Sequence, residues 1–189
     1  MGRRSVHLLI AWLRRGRTAV LVGALALGAC GSSDPEAPPT PCPRALLLDG
    51  AERTSAYRAG SDARPSDLRY LAVLTDLAST CRYYEDVNGQ GVDVDLSFKL
   101  IVERGPALSG SEEVTYFVAT VGPDGQILAR DVLRGDLPFA GGEERVGLSE
   151  DLTLRLPSVT PSEAADYMLY IGFLLDDAEL RRREQPLLR

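Results

Sequence analysis

Histidine and lysine are almost absent from this chain: His7 and Lys99 are the only residues of their kinds among 189. His7 lies in an N-terminal segment with the layout of a removable export signal, so the exported chain would hold no imidazole. Ser–His–Asp and Cys–His catalytic groups and histidine-based zinc sites are thereby excluded. Carboxylate chemistry and a serine–lysine pair through Lys99 stay formally open, so the composition disfavours an enzyme without eliminating one.

Long apolar runs are also missing. Residues 18–27 form an apolar run of ten residues, preceded by five arginines and no acidic residue. Ten residues rise about 15 Å as a helix, against a hydrocarbon core of roughly 30 Å, so a permanent membrane span is not expected. A basic start, a short apolar stretch and small residues before a cut are typical of a secretory signal.

The cut site resembles the bacterial lipobox, in which leucine and two small residues precede the cysteine to be modified: Leu27-Gly28-Ala29-Cys30. The resemblance implies a diacylglycerol on the Cys30 sulfur, cleavage before it and acylation of the new amine, and two or more chains anchor stably. An ordinary signal cut would leave Cys30 a free thiol. Arg14-Arg15 matches a twin-arginine signal only in part, so Sec export is expected. As a whole, the chain resembles alphaproteobacterial lipoproteins, which implies no activity.

Positive charge becomes scarce once the signal is removed. Loss of residues 1–29 takes five arginines away and leaves 160 residues with 16 basic and 27 acidic side chains, a net charge of about −11. So acidic a chain is not expected to bind nucleic acid or to adhere electrostatically to anionic lipid. Membrane contact is expected through the N-terminal lipid alone.

Only three cysteines are present. With Cys30 assigned to lipid, Cys42 and Cys81 form a pair in an oxidising compartment, where a disulfide is the expected outcome. A metal or redox site is the alternative, but the sequence has no C-x-x-C motif and no histidine beyond residue 7.

The chain divides into a signal at residues 1–29, a lipidated proline-rich tether at 30–41 and one domain at 42–189. Alternating apolar and polar residues within the domain predict strands. Residues 68–79 fit helix or strand almost equally, and strand is preferred because they lead into Cys81. The predicted strands cover residues 44–49, 68–79, 81–87, 92–102, 114–121, 126–133, 152–156 and 167–175.

Turns and a helix complete the pattern. Asn88-Gly89 and residues 122–125 predict hairpin turns, and the acids followed by bases in residues 176–185 predict a short C-terminal helix. Seven to nine short strands predict an antiparallel β-sandwich. Residues 152–167 resemble the strand E to strand F passage of immunoglobulin-like domains, which implies that Tyr167 is a tyrosine corner whose hydroxyl bonds to backbone upstream.

Two acidic clusters are candidate sites. Asp86, Asn88 and Asp93 supply oxygen ligands of the kind that calcium prefers, but Ser97 stands where an EF-hand loop needs glutamate, so a hairpin turn with solvent-facing acids is preferred. Asp176, Asp177 and Glu179 could form a glycosidase-like carboxylate pair, although acids are favoured electrostatically at any helix start. No catalytic residue, metal or cofactor is predicted.

These observations predict a non-catalytic, lipid-anchored periplasmic module that binds another envelope protein or supports an assembly. A carboxylate-based envelope hydrolase and a small-ligand or calcium-binding lipoprotein are the alternatives. Gly31 follows the cysteine where an aspartate would favour inner-membrane retention in many bacterial lipoproteins, so the outer membrane is the predicted location.

Overall fold

The computed structural model describes residues 40–87, 89–139 and 142–184. The predicted signal, Cys30 and residues 30–39 of the tether lie outside the described residues, as do Asn88 and Pro186. Residues Pro39–Arg189 form a compact unit by themselves, and every contact reported below falls within that unit. No helix in the described part of the chain is long and apolar enough to cross a membrane.

The described residues form eight strands and a short C-terminal helix. In chain order these are β1 Arg44–Leu47, β2 Arg53–Tyr57, β3 Leu68–Asp86, β4 Gly89–Arg104, β5 Glu112–Val121, β6 Ile127–Leu137, β7 Arg145–Pro157, β8 Met168–Phe173 and α1 Asp177–Glu184.

The strands make two four-stranded sheets, which confirms the predicted β-sandwich. Sheet A has the order β1-β8-β5-β6 and sheet B the order β2-β3-β4-β7. Neighbouring strands are antiparallel except β1 and β8, which are parallel. The parallel pair is possible because no hairpin joins β1 to β8, so nothing forces the two strands to run in opposite directions.

The core lies between the inner faces of the two sheets. Strand β4 buries every second residue, as its alternation predicted: Val92, Val94, Leu96, Phe98, Leu100 and Val102. Tyr116 of β5 meets Phe98 edge to face across the core, with ring centroids 5.6 Å apart. Its hydroxyl donates to Glu150 of β7 at 2.8 Å, so the buried phenol keeps a polar partner.

The two segments predicted as strands at 68–79 and 81–87 are one strand of 19 residues. The register shifts between Thr75 and Ala78, and Asp76 adopts a positive φ of 54°. The extra residues form a bulge, which bends the strand without ending its pairing with β4. The predicted pairings of β3 with β4 and of β5 with β6 are confirmed. Residues 122–125 form the second predicted turn, in which the Gly125 amide donates to the Gly122 carbonyl at 2.9 Å. At the first, Gly89 already belongs to β4 and pairs with Asp86.

Two long-range links fix the ends of the domain. The predicted disulfide joins Cys42, just before β1 of sheet A, to Cys81 of β3 in sheet B, with the Cα atoms 6.0 Å apart. The predicted C-terminal helix is present as α1, and it packs against the β2 end of sheet B through Glu179 and Arg183.

Tyr167, the predicted tyrosine corner, lies directly before β8 and is half-buried, and its carbonyl accepts a hydrogen bond from the Arg44 amide at 3.1 Å. The hydroxyl bond expected of a tyrosine corner stays a prediction.

Candidate binding site

The acids proposed as calcium ligands lie beside an arginine, which pairs with them. Asp86 pairs with Arg155 at 2.7 Å, and the same guanidinium lies 3.8 Å from the Asp93 carboxylate and 3.7 Å from the centroid of the Tyr84 ring. Asn88 lies outside the described residues. Within the described ranges, no group of three or more His, Cys, Asp or Glu side chains could hold a metal. The arrangement fits the preferred interpretation of this segment as a charged hairpin.

The acids at the start of α1 have structural partners. Asp176 accepts a hydrogen bond from the Glu179 amide at 2.7 Å, as a helix N-cap does. Glu179 is only 4% exposed and accepts from the Thr54 hydroxyl at 2.7 Å, the Ser55 amide at 3.0 Å and Arg183 at 2.8 Å. Asp177 is exposed. The carboxylate that is buried therefore docks the helix, and the cluster presents no pair of acids across a cleft.

Lys99, the only lysine, lies on the outer face of sheet B. Its ammonium is 3.0 Å from the Asp76 carboxylate, which sits in the β3 bulge, and both side chains are about half exposed. The pairing with Lys99 lowers the pKa of the Asp76 carboxyl, chiefly through the hydrogen bond that Lys99 donates. The lysine is thus engaged in an ion pair on the outer face of sheet B, whereas a serine–lysine mechanism needs it directed at a serine hydroxyl.

The outer face of sheet A carries an apolar surface that sequence reasoning missed. Side chains from its four strands line up in rows across the sheet, because paired residues share a face. The row at the centre runs Leu46, Tyr170, Ala119, Arg130, and the row beside it runs Arg44, Met168, Val121, Ile127.

A groove of about 500 Å³ follows these rows. It is lined by Leu48, Phe117, Ala119, Val121, Gly125, Ile127, Arg130, Met168 and Tyr170. Ala119 forms the low point of the central row, since both of its neighbours across the sheet, Tyr170 and Arg130, have long side chains. We call this feature the groove, and we call the outer side of sheet A, including its exposed rim, the apolar face.

The floor of the groove is prebuilt by two close contacts. Phe117 is 8% exposed and belongs to the outer side of β5, apart from the core between the sheets. Its ring lies against Gly172 of the neighbouring β8, where a Cβ would stand only 3.1 Å from the ring and 2.8 Å from the Ala51 side chain. The glycine therefore leaves room for the Phe117 ring to pack closely against β8, and the ring forms part of the apolar floor.

The rim of the apolar face is open to solvent. Ile127 is 65% exposed, Val132 51% and Leu46 40%, and all three project from the outer side of sheet A or from its edge strands. Two of these side chains lie on β6 and one on β1, on the same side of the sheet as the groove, and exposed apolar side chains around a groove are typical of interaction sites.

One cation and no acid line the groove. The guanidinium carbon of Arg130 lies 4.6 Å from the centroid of the Phe117 ring. Arg130 has no carboxylate partner among the described residues, while Arg134, four residues along the same strand, pairs with Glu113 at 3.6 Å. The groove thus combines an apolar floor with an arginine whose N–H donors have no acidic partner.

Two other concave surfaces of the described residues carry more charged side chains than the groove does. One of about 340 Å³ on sheet B is lined partly by Thr80, Asp95, Asp151 and Thr153, and Thr153 donates to Asp95 at 2.7 Å. Another of about 570 Å³ includes Glu103 and Arg145, which lie 3.9 Å apart. Their charged groups largely face partners within the chain, so the groove on sheet A is the better candidate for binding another molecule.

Sequence reasoning missed the apolar face, although a signal was present. Residues 116–119 are apolar at four consecutive positions, which is typical of a strand covered on both sides. Within the described ranges, however, the sheet is packed against a second sheet on one side only.

Comparison of the chain with protein-family models, with curated proteins and with solved structures found no match in any of the three.

Proposed function

We propose that this protein is a non-catalytic binding module of the bacterial cell envelope, anchored in the outer membrane by lipid on Cys30, and that its binding surface is the apolar face of sheet A. The observation that carries the proposal is the groove with its exposed rim. An apolar surface of this kind lowers its free energy when another molecule covers it.

The electrostatics of the described residues support binding rather than catalysis. The buried carboxylate Glu179 is engaged by three donors, and Lys99 is paired with Asp76. A general acid or base has to be aimed into a pocket that admits substrate. The groove contains one arginine and no carboxylate, so it offers orientation and charge complementarity without a proton-transfer group.

The point where the predicted tether joins the domain is close in sequence to the groove. The domain begins at Cys42, and Arg44, two residues later, pairs across the sheet with Met168, which lines the groove. A tether of 12 residues spans at most about 40 Å when fully extended. Lipid on Cys30 would therefore hold the groove close to the bilayer and to the envelope proteins embedded in it.

The anchor is tested by its own experiment. Mass spectrometry of the mature N-terminus should find a diacylglyceryl, N-acylated Cys30, and Cys30→Ser should move the protein from the membrane fraction to the soluble fraction. An unmodified Cys30 would refute the lipid anchor.

The binding surface is tested separately, by carbene photolabelling of the protein in intact envelopes and of the soluble domain Pro39–Arg189. Labelling of Leu46, Ile127 and Val132 should fall in the envelope, while Lys99 and Thr153 on the outer face of sheet B should label equally in both. Equal labelling of the apolar face in the two samples would refute the binding surface.

A further inference from the structure

We propose that the groove on the apolar face binds the alkyl chain of a fatty acid, whose carboxylate pairs with the guanidinium of Arg130. This inference rests on the proposed function, because it takes the same face as the binding surface and names its occupant.

The shape of the groove suits a single alkyl chain. Its volume of about 500 Å³ lies within the range of roughly 300–1,000 Å³ typical of small-molecule sites. The floor is formed by Phe117, Ala119 and Val121, consecutive outward residues of β5, so it extends along one strand. A chain laid along β5 would cover these three residues and would contact Met168 and Tyr170 on one side and Ile127 on the other.

The charge of the groove selects the head group. Arg130 is the only charged residue among the described residues that line it, and the guanidinium is placed beside the floor by its contact with the Phe117 ring. Arginine is well suited to a carboxylate, because its planar N–H groups can donate two parallel hydrogen bonds. An amphiphile with a cationic head would meet repulsion at the same place, and an uncharged one would leave Arg130 without its partner.

The position of the groove relative to the predicted tether gives it access to fatty acids from a membrane. The row that begins at Arg44 lies two residues from Cys42, where the tether reaches the domain, and it includes Met168, Val121 and Ile127. A domain held within about 40 Å of a bilayer by the tether samples the amphiphiles that exchange from it. A protein segment or a second copy of the chain would have to cover the exposed rim as well, including Arg44 beside Met168 and the Arg134–Glu113 pair, and taking those charges out of water is costly.

The test uses dodecanoate as the probe, below its micellar concentration, with isothermal titration calorimetry on the soluble domain Pro39–Arg189. This domain retains every described contact of the fold. Dodecanoate should bind with one-to-one stoichiometry and more tightly than dodecyltrimethylammonium, its cationic counterpart. Binding too weak to saturate, or equal affinity for the two probes, would overturn the proposal.

Substitutions assign the contact to Arg130. Arg130→Gln should weaken dodecanoate binding about tenfold or more, as expected for loss of a charge-assisted pair, and should leave dodecanol binding nearly unchanged. The matched control is Arg134→Gln, on the same strand and face but paired with Glu113, which should leave both affinities unchanged. If the two glutamine variants weaken dodecanoate equally, the specific pairing is refuted.

Filling the groove provides a second test. Ala119→Trp should abolish binding of both dodecanoate and dodecanol, because the indole would occupy the low point of the central row. Since this change could affect folding, the less buried Ile127→Asn at the rim, which removes apolar contact without adding a charge, serves as a second variant and should weaken binding of both probes, with thermal unfolding recorded for both variants. Folded variants that bind dodecanoate as well as the wild type does would overturn the proposal.

The remaining outcomes separate this inference from the proposed function. Concentration-dependent dimerisation of the domain that Ile127→Asn prevents would identify a second copy as the occupant and refute the fatty acid. If dodecanoate does not bind but the apolar face is still protected in envelopes, the fatty acid is refuted as the occupant and the binding surface is retained. Absent protection in envelopes would refute the binding surface itself, whatever the calorimetry shows.

Discussion

Arg130 on the edge strand β6 holds its guanidinium carbon 4.6 Å from the ring centroid of Phe117 on β5. The contact joins the only charge in the groove to the aromatic part of its floor. An exposed cation–π contact contributes about 0.5–1 kcal/mol to stability, which is small beside the burial of the ring itself. The pair is therefore better suited to organising a binding site than to holding the fold together.

A stability measurement checks this assignment. Arg130→Gln should lower the free energy of unfolding by no more than about 1 kcal/mol, measured by urea denaturation of the soluble domain. Arg134→Gln, which removes an exposed ion pair, should cost a similar or smaller amount. A loss of several kcal/mol in the Arg130 variant alone would show that this residue serves the fold.

The disulfide should contribute much more to the stability of the domain than Arg130 does. Cys42 and Cys81 are 39 residues apart in sequence and join the start of sheet A to β3 of sheet B. Closing a loop of that length stabilises by about 4 kcal/mol in the chain-entropy model. The double variant Cys42→Ser, Cys81→Ser should lose stability on that order, and the wild-type domain with its disulfide reduced should match it. Stability unaffected by reduction would contradict the structural role of the bond.

Docking of the C-terminal helix should depend on Glu179. Glu179→Ala would leave the Thr54 hydroxyl and the Ser55 amide without their acceptor and Arg183 without its carboxylate, at a cost of about 3 kcal/mol. Trypsin should then cleave faster at residues 181–183. The matched control is Asp177→Ala, an exposed acid in the same first turn, which should change neither stability nor cleavage by much. Equal effects of the two variants would contradict the role of Glu179 in docking the helix.

Two buried tyrosines should make the fold sensitive to alkali. Burial, with the nearby Glu112 carboxylate, raises the pKa of Tyr70 to about 12, and burial with the hydrogen bond to Glu150 raises the pKa of Tyr116 further. An unfolded tyrosine ionises near pH 10, so between about pH 10 and 12 the unfolded chain binds fewer protons than the folded one, and stability falls as pH rises. Tyr70→Phe should reduce that fall, and absorbance at 295 nm should show late ionisation of these two phenols. A wild-type titration with all seven tyrosines near pH 10 would contradict it.

The strands that could be predicted from sequence are those whose own residues repeat with period two. Strand β4 has the clearest pattern, because each of its inward residues from Val92 to Val102 is apolar and most of the residues between them are polar. Strand β2 was missed, since Arg53–Tyr57 is short and only Thr54 of its residues is fully buried. The bulge at Asp76 lies inside the predicted strand 68–79, where it shifts which residues face the core, so these residues fit a helix almost as well as a strand.

The binding surface depends on information that no single strand carries. Phe117, Ala119 and Val121 alternate correctly on β5, but whether their face is covered depends on the presence of a third layer above sheet A. The row Leu46, Tyr170, Ala119, Arg130 joins residues from four strands, so its composition follows from the strand order and register. The anchor, by contrast, was predicted from four adjacent residues, 27–30, which lie outside the described part of the chain.

Photolabelling of Val132 and Leu46 in intact envelopes, with wild type and Ile127→Asp compared, tests the central claim most directly. The account predicts that wild type is labelled less in envelopes than as the soluble domain, and that the aspartate, placed at the rim of the groove, restores labelling to the soluble level. Thr153 on the outer face of sheet B should label equally in all samples. Labelling of Val132 and Leu46 that is the same in envelopes and in solution would contradict the claim that the apolar face is where this protein binds.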